Sequence, residues 1–415
     1  MKLDPEVCLK CKGRLWCGLK RCPLLARQDA FVKVKDKIKN IKEDFSTKTN
    51  SVFIGRIGYP NINLGILTPV IEKEDIDNPR AWAASNKDIQ EIIDMRSSLI
   101  NSRKKQRKTE IGNDYKVISV QEMVLSNKPV SVEVLLKDKP KLNMNITPFS
   151  APFGPNANLK KFRLEENPKI KKQVEKYYYD YDAKAQDAVQ ELYTRGIDEN
   201  FLSKAISIGS FGLKTNRKLV PTRWSITAVD DAIGKYLIER IKDKSFTENT
   251  AYFGGHLGNY YIAMFFEGEW SFELFEMYMP KTDWNISSEI KYTTDYEGYF
   301  GRKTYAENCT GGYYAARLGV LEKLSDDNKQ ASVLLIRIIT PEYYAPLGVW
   351  VVREAVRKAV RTNPIKFAND KLMINYAKAI MKKKFGINEF QSEKIFKESK
   401  LIDKRKHQKK ITSFF

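Results

Sequence analysis

Apolar positions recur along this chain with two periods, and the change of period marks out its elements. Ile89, Ile92, Ile93, Leu99 and Ile100 are spaced as on one face of a helix, and Ser85 or Asn86 stands at the cap position. A helix is therefore expected there, ending in Arg103-Lys-Lys-Gln-Arg-Lys108. Val52-Phe-Ile-Gly-Arg56 reads as a first strand, followed by the turn Gly58-Tyr59-Pro60-Asn61 and a second apolar run from Leu64 to Leu67. Val117 to Val124 and Val130 to Leu136 fit either a strand or a short helix. Pro148 to Pro168 is rich in Pro, Gly and Asn and reads as loop, with a helix expected from Ile170 through Tyr193 and a helical turn at Leu202 to Ile208. Tyr260 to Phe266 and Trp270 to Tyr278 are β-rich runs joined by Glu267-Gly268-Glu269, the pattern of a hairpin. Val333 to Ile339 predicts a buried strand, interrupted only by Arg337. Leu347 to Val360 and Asp370 to Lys384 predict amphipathic helices.

These elements predict an α+β (mixed) fold with antiparallel hairpins and amphipathic helices. The expected organisation is a small N-terminal module over residues 1–28, a basic linker over 29–50, a large mixed body over 51–385 and a basic tail over 386–415. Apolar density falls after Phe385-Gly386, and residues 397–410 are mostly charged, so they are expected to be disordered until bound. No apolar run approaches the roughly 18 residues of a membrane span, and the first residues reach cysteines without an apolar leader. A cytoplasmic protein is expected.

Charge sharpens this division. The net charge is +21, of which residues 1–50 carry +7, residues 351–415 carry +12 and the long middle only +2. Basic ends on a neutral body suit a polyanion, because each phosphate contact releases condensed counterions. DNA is the expected partner.

Four of the five cysteines, Cys8, Cys11, Cys17 and Cys22, lie within fifteen residues. Thiolates this dense in a cytosolic chain point to a soft metal ion held in a closed tetrahedral site. Zinc is expected; the alternative is an iron–sulfur cluster, which the Cys22-Pro23 ending favours. At the other end the chain reads Gln408-Lys-Lys-Ile411-Thr-Ser-Phe414-Phe415. In a 3₁₀ turn, residues three apart eclipse. Ile411, Phe414 and Phe415 would then form one apolar plug with Gln408 at its rim. This peptide resembles the motif by which replication and repair proteins hold the sliding clamp PCNA.

The middle offers glycine-flanked cations. Gly55-Arg56-Ile57-Gly58 places an arginine at a strand exit. Gly209-Ser210-Phe211-Gly212 leads to Arg217, Lys218, Arg223 and Trp224, which suits a phosphate beside a stacked base but lacks the spacing of a P-loop. Gly254-Gly255-His256-Leu257-Gly258 holds one of two histidines. Arg56, Arg217, Arg223 and His256 are the candidates for holding a nucleotide-like or phosphate-bearing ligand. Glu267, Glu269, Glu273 and Glu276 follow, with a carboxylate pair conceivable on one strand face. Arg353, Arg357 and Arg361 form a stripe that fits either a solvated face or a phosphate-tracking ridge.

A four-cysteine module at one end and a clamp peptide at the other resemble the archaeal Nre family of DNA repair proteins. Gly55-Arg-Ile-Gly-Tyr-Pro60, Phe149-Ser-Ala-Pro-Phe-Gly-Pro-Asn156, Leu219-Val-Pro-Thr-Arg-Trp-Ser225 and Trp270-Ser-Phe-Glu273 carry the same resemblance through the body. The resemblance implies a DNA damage repair factor with zinc on Cys8, Cys11, Cys17 and Cys22, and with PCNA bound through Gln408, Ile411, Phe414 and Phe415. It carries over no catalytic residue, and none is identified. The alternative function is an enzyme, ADP-ribosyltransferase-like or nucleotide-processing, tethered to the clamp and using Arg56, His256 and a hairpin glutamate.

Overall fold

The computed structural model describes residues 10–19, 21–71, 73–111, 115–140 and 154–407. Among these the chain is α+β and forms two compact units. One runs to Ile233 and takes in Tyr344–Gly348. The other comprises Gly234–Tyr343 and the chain from Val349 onward. The body expected as one domain is thus two, each with its own six-stranded sheet.

The N-terminal unit opens with α1 (Pro23–Asn40), which packs on a later helix: Gln90 Nε2 donates to the Ala26 carbonyl at 3.0 Å and Lys33 pairs with Asp94. The segment expected as a linker is therefore helix and strand. β1 (Asp44–Thr49) and β2 (Val52–Ile54) follow, then β3 (Asn61–Pro69), α2 (Pro79–Ala84), α3 (Ile89–Ser97), β4 (Leu99–Arg107), α4 (Tyr115–Leu125), β5 (Val130–Leu136) and β6 (Asn156–Leu164). α3 starts later and ends sooner than the apolar spacing predicts. Its cap is Asp88, in a reciprocal capping box with Glu91. Beyond Ser97 the inward positions alternate as Ile100, Ser102 and Gln106, the period of a strand, so the basic run Arg103–Lys108 is mostly β4.

The sheet order is β1-β5-β6-β4-β3-β2, with β4 and β6 parallel and the other neighbours antiparallel. β1 and β2 are two halves of one strand, separated by Asn50-Ser51. The first half pairs with β5 and the second with β3, while the Leu67 amide reaches the Ser51 carbonyl at 2.9 Å and Thr49 Oγ1 donates to the Leu67 carbonyl at 2.6 Å. The sheet thereby closes on itself. Ile54, Ile62, Ile66, Ile100, Val132, Val134 and Phe162 fill its interior, and α4 adds Val120, Met123 and Val124. Each such side chain contributes about 1.5–3 kcal/mol by leaving water.

α5 (Lys172–Tyr179), α6 (Ala185–Thr194), α7 (Glu199–Ser207) and α8 (Thr222–Ile241) complete this part of the chain, and the division between units falls inside α8. The single helix expected over 170–193 is broken at Asp180, whose carboxylate accepts from the amides of Asp182 and Ala183.

The C-terminal unit contains β7 (Thr250–His256), β8 (Asn259–Phe266), β9 (Ser271–Tyr278), β10 (Lys291–Glu297), α9 (Thr310–Asp326), β11 (Ser332–Ile339), α10 (Trp350–Val360), β12 (Ile365–Lys366), α11 (Asp370–Phe385), α12 (Glu389–Glu398) and α13 (Lys400–His407). Its order is β10-β9-β11-β8-β7-β12. β8 and β9 do not form the expected hairpin. β11 lies between them, antiparallel to β8 and parallel to β9. All eight residues of β11 are buried, so it takes the central place where both of its edges are paired. One face of the sheet meets α9 and α10. The other meets α11, α12 and α13 through Met373, Met381, Ile395, Phe396 and Leu401. The chain up to His407 is thus packed helix, not the disordered tail expected from residue 397. No described helix is long and apolar enough to cross a membrane.

Candidate nucleic-acid interface

The β2–β3 loop carries Arg56 and presents an aromatic ring. Gly58 adopts φ +86, where a Cβ would lie 2.7 Å from the Asn61 carbonyl, and the Asn61 amide closes the turn onto the Gly58 carbonyl at 2.8 Å. The turn lifts Tyr59 out of the barrel rim. The first turn of α8 is fixed beside it, because the Ile54 amide donates to Thr222 Oγ1 at 2.8 Å. That contact sets Trp224 against Tyr59, with ring centroids 5.5 Å apart and planes 56° to each other. Lys108, at the end of β4, holds its ammonium 4.3 Å from the Tyr59 ring centre and donates to the Tyr59 hydroxyl. Its amide bonds the Pro60 carbonyl at 3.0 Å.

Tyr59 remains 42% exposed and Trp224 47% exposed, although each offers a large apolar face. Arg56 and Arg223 are exposed on the same loop and the same helical turn. Two half-exposed aromatics with surrounding cations form a surface able to stack bases and neutralise phosphates.

The other two ligand candidates are placed differently. Arg217 turns inward. Its Nε donates to the Gly212 carbonyl at 2.8 Å, Nη1 to Tyr178 at 2.6 Å, and Nη2 to Tyr177 at 3.2 Å and Asp180 at 2.7 Å, while the guanidinium covers the Tyr181 ring at 4.5 Å. It satisfies the orphaned carbonyls at the end of α5. Burial pulls its pKa down, against the pull of Tyr181 and Tyr178. Arg217 therefore locks a helix end rather than offering its fork to a ligand.

His256 belongs to the other unit, at the β7–β8 turn, where it pairs with Asn259. Lys358 Nζ lies 3.1 Å from its Nδ1. Burial and the Lys358 charge lower its pKa to about 4, so the ring is neutral at pH 7. The ammonium makes Nδ1 the acceptor, which puts the proton on Nε2, a buried atom with no hydrogen-bond partner among the described residues. The four candidates do not form one set within either unit.

The glutamates also separate. Glu267 and Glu269 are exposed before β9 begins, whereas Glu273 and Glu276 point to opposite faces of β9. Glu276 joins a network that the sequence pattern missed. It accepts from Arg337 and, at 3.0 Å, from the Tyr278 hydroxyl, and Arg337 also donates to Asn259 Oδ1 through Nε at 3.1 Å. The signal for it was Arg337 itself, a lone cation in an otherwise apolar strand. The stripe on α10 is likewise absorbed. Arg353 and Arg357 are buried, Arg357 bonds Glu322 and Glu354, and only Arg361 is exposed.

In the cysteine module, Cys8 lies outside the described residues. The Cys11 sulfur accepts the Trp16 amide at 3.3 Å, and Cys22 is the N-cap of α1. Sulfur is a soft donor, so these side chains fit a soft metal ion. No three His, Cys, Asp or Glu side chains among the described residues gather as a metal site. Gln408, Ile411, Phe414 and Phe415, the residues expected to meet the clamp, lie outside the described residues.

The family model for archaeal Nre, N-terminal, matches residues 16–285, and that for archaeal Nre, C-terminal, matches residues 297–414. A protein of Archaeoglobus fulgidus named DNA repair protein NreA is 38% identical over 360 residues, covering 86% of this chain and 89% of that one. A DNA repair protein NreA of Haloferax volcanii is 37% identical over 319 residues, covering 74% and 76%. The DNA repair protein NreB of Archaeoglobus fulgidus is 36% identical over 354 residues, covering 85% and 87%. No solved structure matches. With both family models matched in order along most of its length, the chain belongs to the archaeal Nre family.

Proposed function

We propose that this chain, a DNA repair factor, binds DNA and is recruited to the sliding clamp PCNA through Gln408–Phe415. The observation that carries DNA binding is the half-exposed Tyr59–Trp224 pair among Arg56, Lys108 and Arg223. The names of the relatives support the repair role. Recruitment rests on the spacing of Gln408, Ile411, Phe414 and Phe415, which follow directly on the basic helix α13. Zinc on Cys8, Cys11, Cys17 and Cys22 would supply no chemistry beyond cross-linking the N-terminal module. Four soft sulfur donors within fifteen residues support that ligand set.

The test is DNA binding by the full chain over a salt series, with Tyr59→Ala and Trp224→Ala beside it. Binding that weakens with salt and drops in both variants supports the reading; no binding to any DNA removes it. A second reading, a nucleotide-like ligand in the C-terminal unit, has the unpartnered Nε2 of His256 in its favour. A nucleotide that raises the melting temperature of the wild type but not of His256→Ala would support it, and a panel without any shift would remove it.

A further inference from the structure

We infer that the N-terminal barrel holds a single DNA strand across the outer face of β3 and β4, running onto the Tyr59–Trp224 pair. The inference rests on the DNA-binding reading above and names its substrate class and path. Counting β1 and β2 as one bent strand, the barrel has five strands, in the order first, second, third, fifth, fourth and back to the first. The third and fifth are parallel, and α4 lies between the third and fourth. This is the connectivity of the OB-fold, whose second and third strands and first loop receive oligonucleotides or oligosaccharides. Connectivity alone does not choose between them, and the side chains must.

The side chains choose a polyanion. Ile62, Leu64 and Ile66 point into the barrel, so Asn61 and Asn63 of β3 point outward. On β4 the outward positions are Arg103, Lys105 and Arg107, set opposite Gly65, Asn63 and Asn61. Arg103 has Asn158 of β6 on its other side, and Lys160 and Lys161 are exposed further along β6. Neither β3 nor β4 contains a carboxylate. Cations at every second position of a strand stand about 7 Å apart, a spacing that suits successive phosphates of an extended strand. An oligosaccharide would have no use for such a row.

The rim chooses a single strand. β4 ends at Arg107, and the next residue, Lys108, bonds both Pro60 and Tyr59. The cationic row therefore leads directly to the two half-exposed rings. Rings on a surface stack on bases that are free of a complementary strand, and a duplex keeps its base faces covered. Asn101 hydrogen-bonds Asn156 at 2.9 Å and is buried, which closes the outer face at its other end.

The experiment is fluorescence anisotropy of the full chain with a labelled single strand, the matching duplex and the matching RNA. It is repeated over a salt series and with Lys105→Glu, Arg107→Glu and Trp224→Ala, each checked for an unchanged melting temperature. The single DNA strand should bind tightest. Trp224→Ala should weaken it about 5- to 100-fold, and each charge reversal should lower the slope of log K against log salt by about 0.7 or more. Tighter binding of duplex or of RNA, or wild-type affinity in all three variants, would overturn the inference while leaving DNA binding intact. Failure to bind any DNA would overturn both.

Discussion

Glu273 of β9 accepts the hydroxyl of Ser399 at 2.5 Å across 126 residues of sequence. The same carboxylate takes the amides of Lys400 and Leu401, each at 3.0 Å, while Ser399 Oγ accepts the Ile402 amide at 3.1 Å. A buried strand thus caps α13, the helix that precedes Gln408 in the sequence. Burial raises the Glu273 pKa, and the hydrogen bonds from Ser399, Leu401 and Lys400 act against that rise. Glu273→Ala would leave three donors without their acceptor. It should lower the stability of the C-terminal unit by about 2–4 kcal/mol in urea unfolding and release the α13 amides to hydrogen exchange. Wild-type protection of those amides would contradict the role.

Arg217→Ala should cost a similar amount, about 2–4 kcal/mol, because four carbonyls around the end of α5 lose their donor. Below the lowered melting temperature its DNA affinity should match the wild type. An unchanged melting temperature with weakened DNA binding would restore Arg217 to the ligand surface.

His256 sets a pH dependence. Its folded pKa, about 4, lies below the ordinary 6.5, because burial and Lys358 disfavour its charge. Below pH 6.5 the unfolded chain takes up a proton that the folded chain refuses. The contribution of this group is therefore fully present above pH 6.5 and is lost as pH falls toward 4. His256→Gln should flatten the melting temperature over that window, and a variant as steep as the wild type would contradict the assignment.

The cysteine module should hold about one metal ion per chain, measured as zinc by elemental analysis and lost in Cys8→Ser or Cys11→Ser, with a fall in the melting temperature of the module. Iron with acid-labile sulfide would contradict zinc.

Much of the outline was legible in the residues and little of the long-range pairing was. The run Val333–Ile339 announced β11, and the spacing after Asp370 announced α11, because burial on one or two faces leaves a local period. The separation of β8 from β9 left no such trace, since the strand that parts them arrives more than fifty residues later. The closure of the barrel was hidden for the same reason: it depends on β1 and β2 choosing different partners. Arg56 and Arg223 were found beside glycine, proline and tryptophan, where a cation serves the surface. Arg217 lies in the same glycine- and proline-bounded stretch, between Gly212 and Pro221, but faces backbone carbonyls, and composition cannot distinguish the two.

Whether the chain joins DNA to the clamp is decided by a capture experiment. A single DNA strand is fixed to a sensor surface, the full chain is added, and then PCNA. PCNA should reach the surface only after the chain is bound. A chain ending at His407 should bind the DNA yet bring no PCNA, and the pair Tyr59→Ala and Trp224→Ala should bind PCNA in solution yet leave the surface bare. Equal capture of PCNA by the chain ending at His407, or none by the full chain, would contradict it.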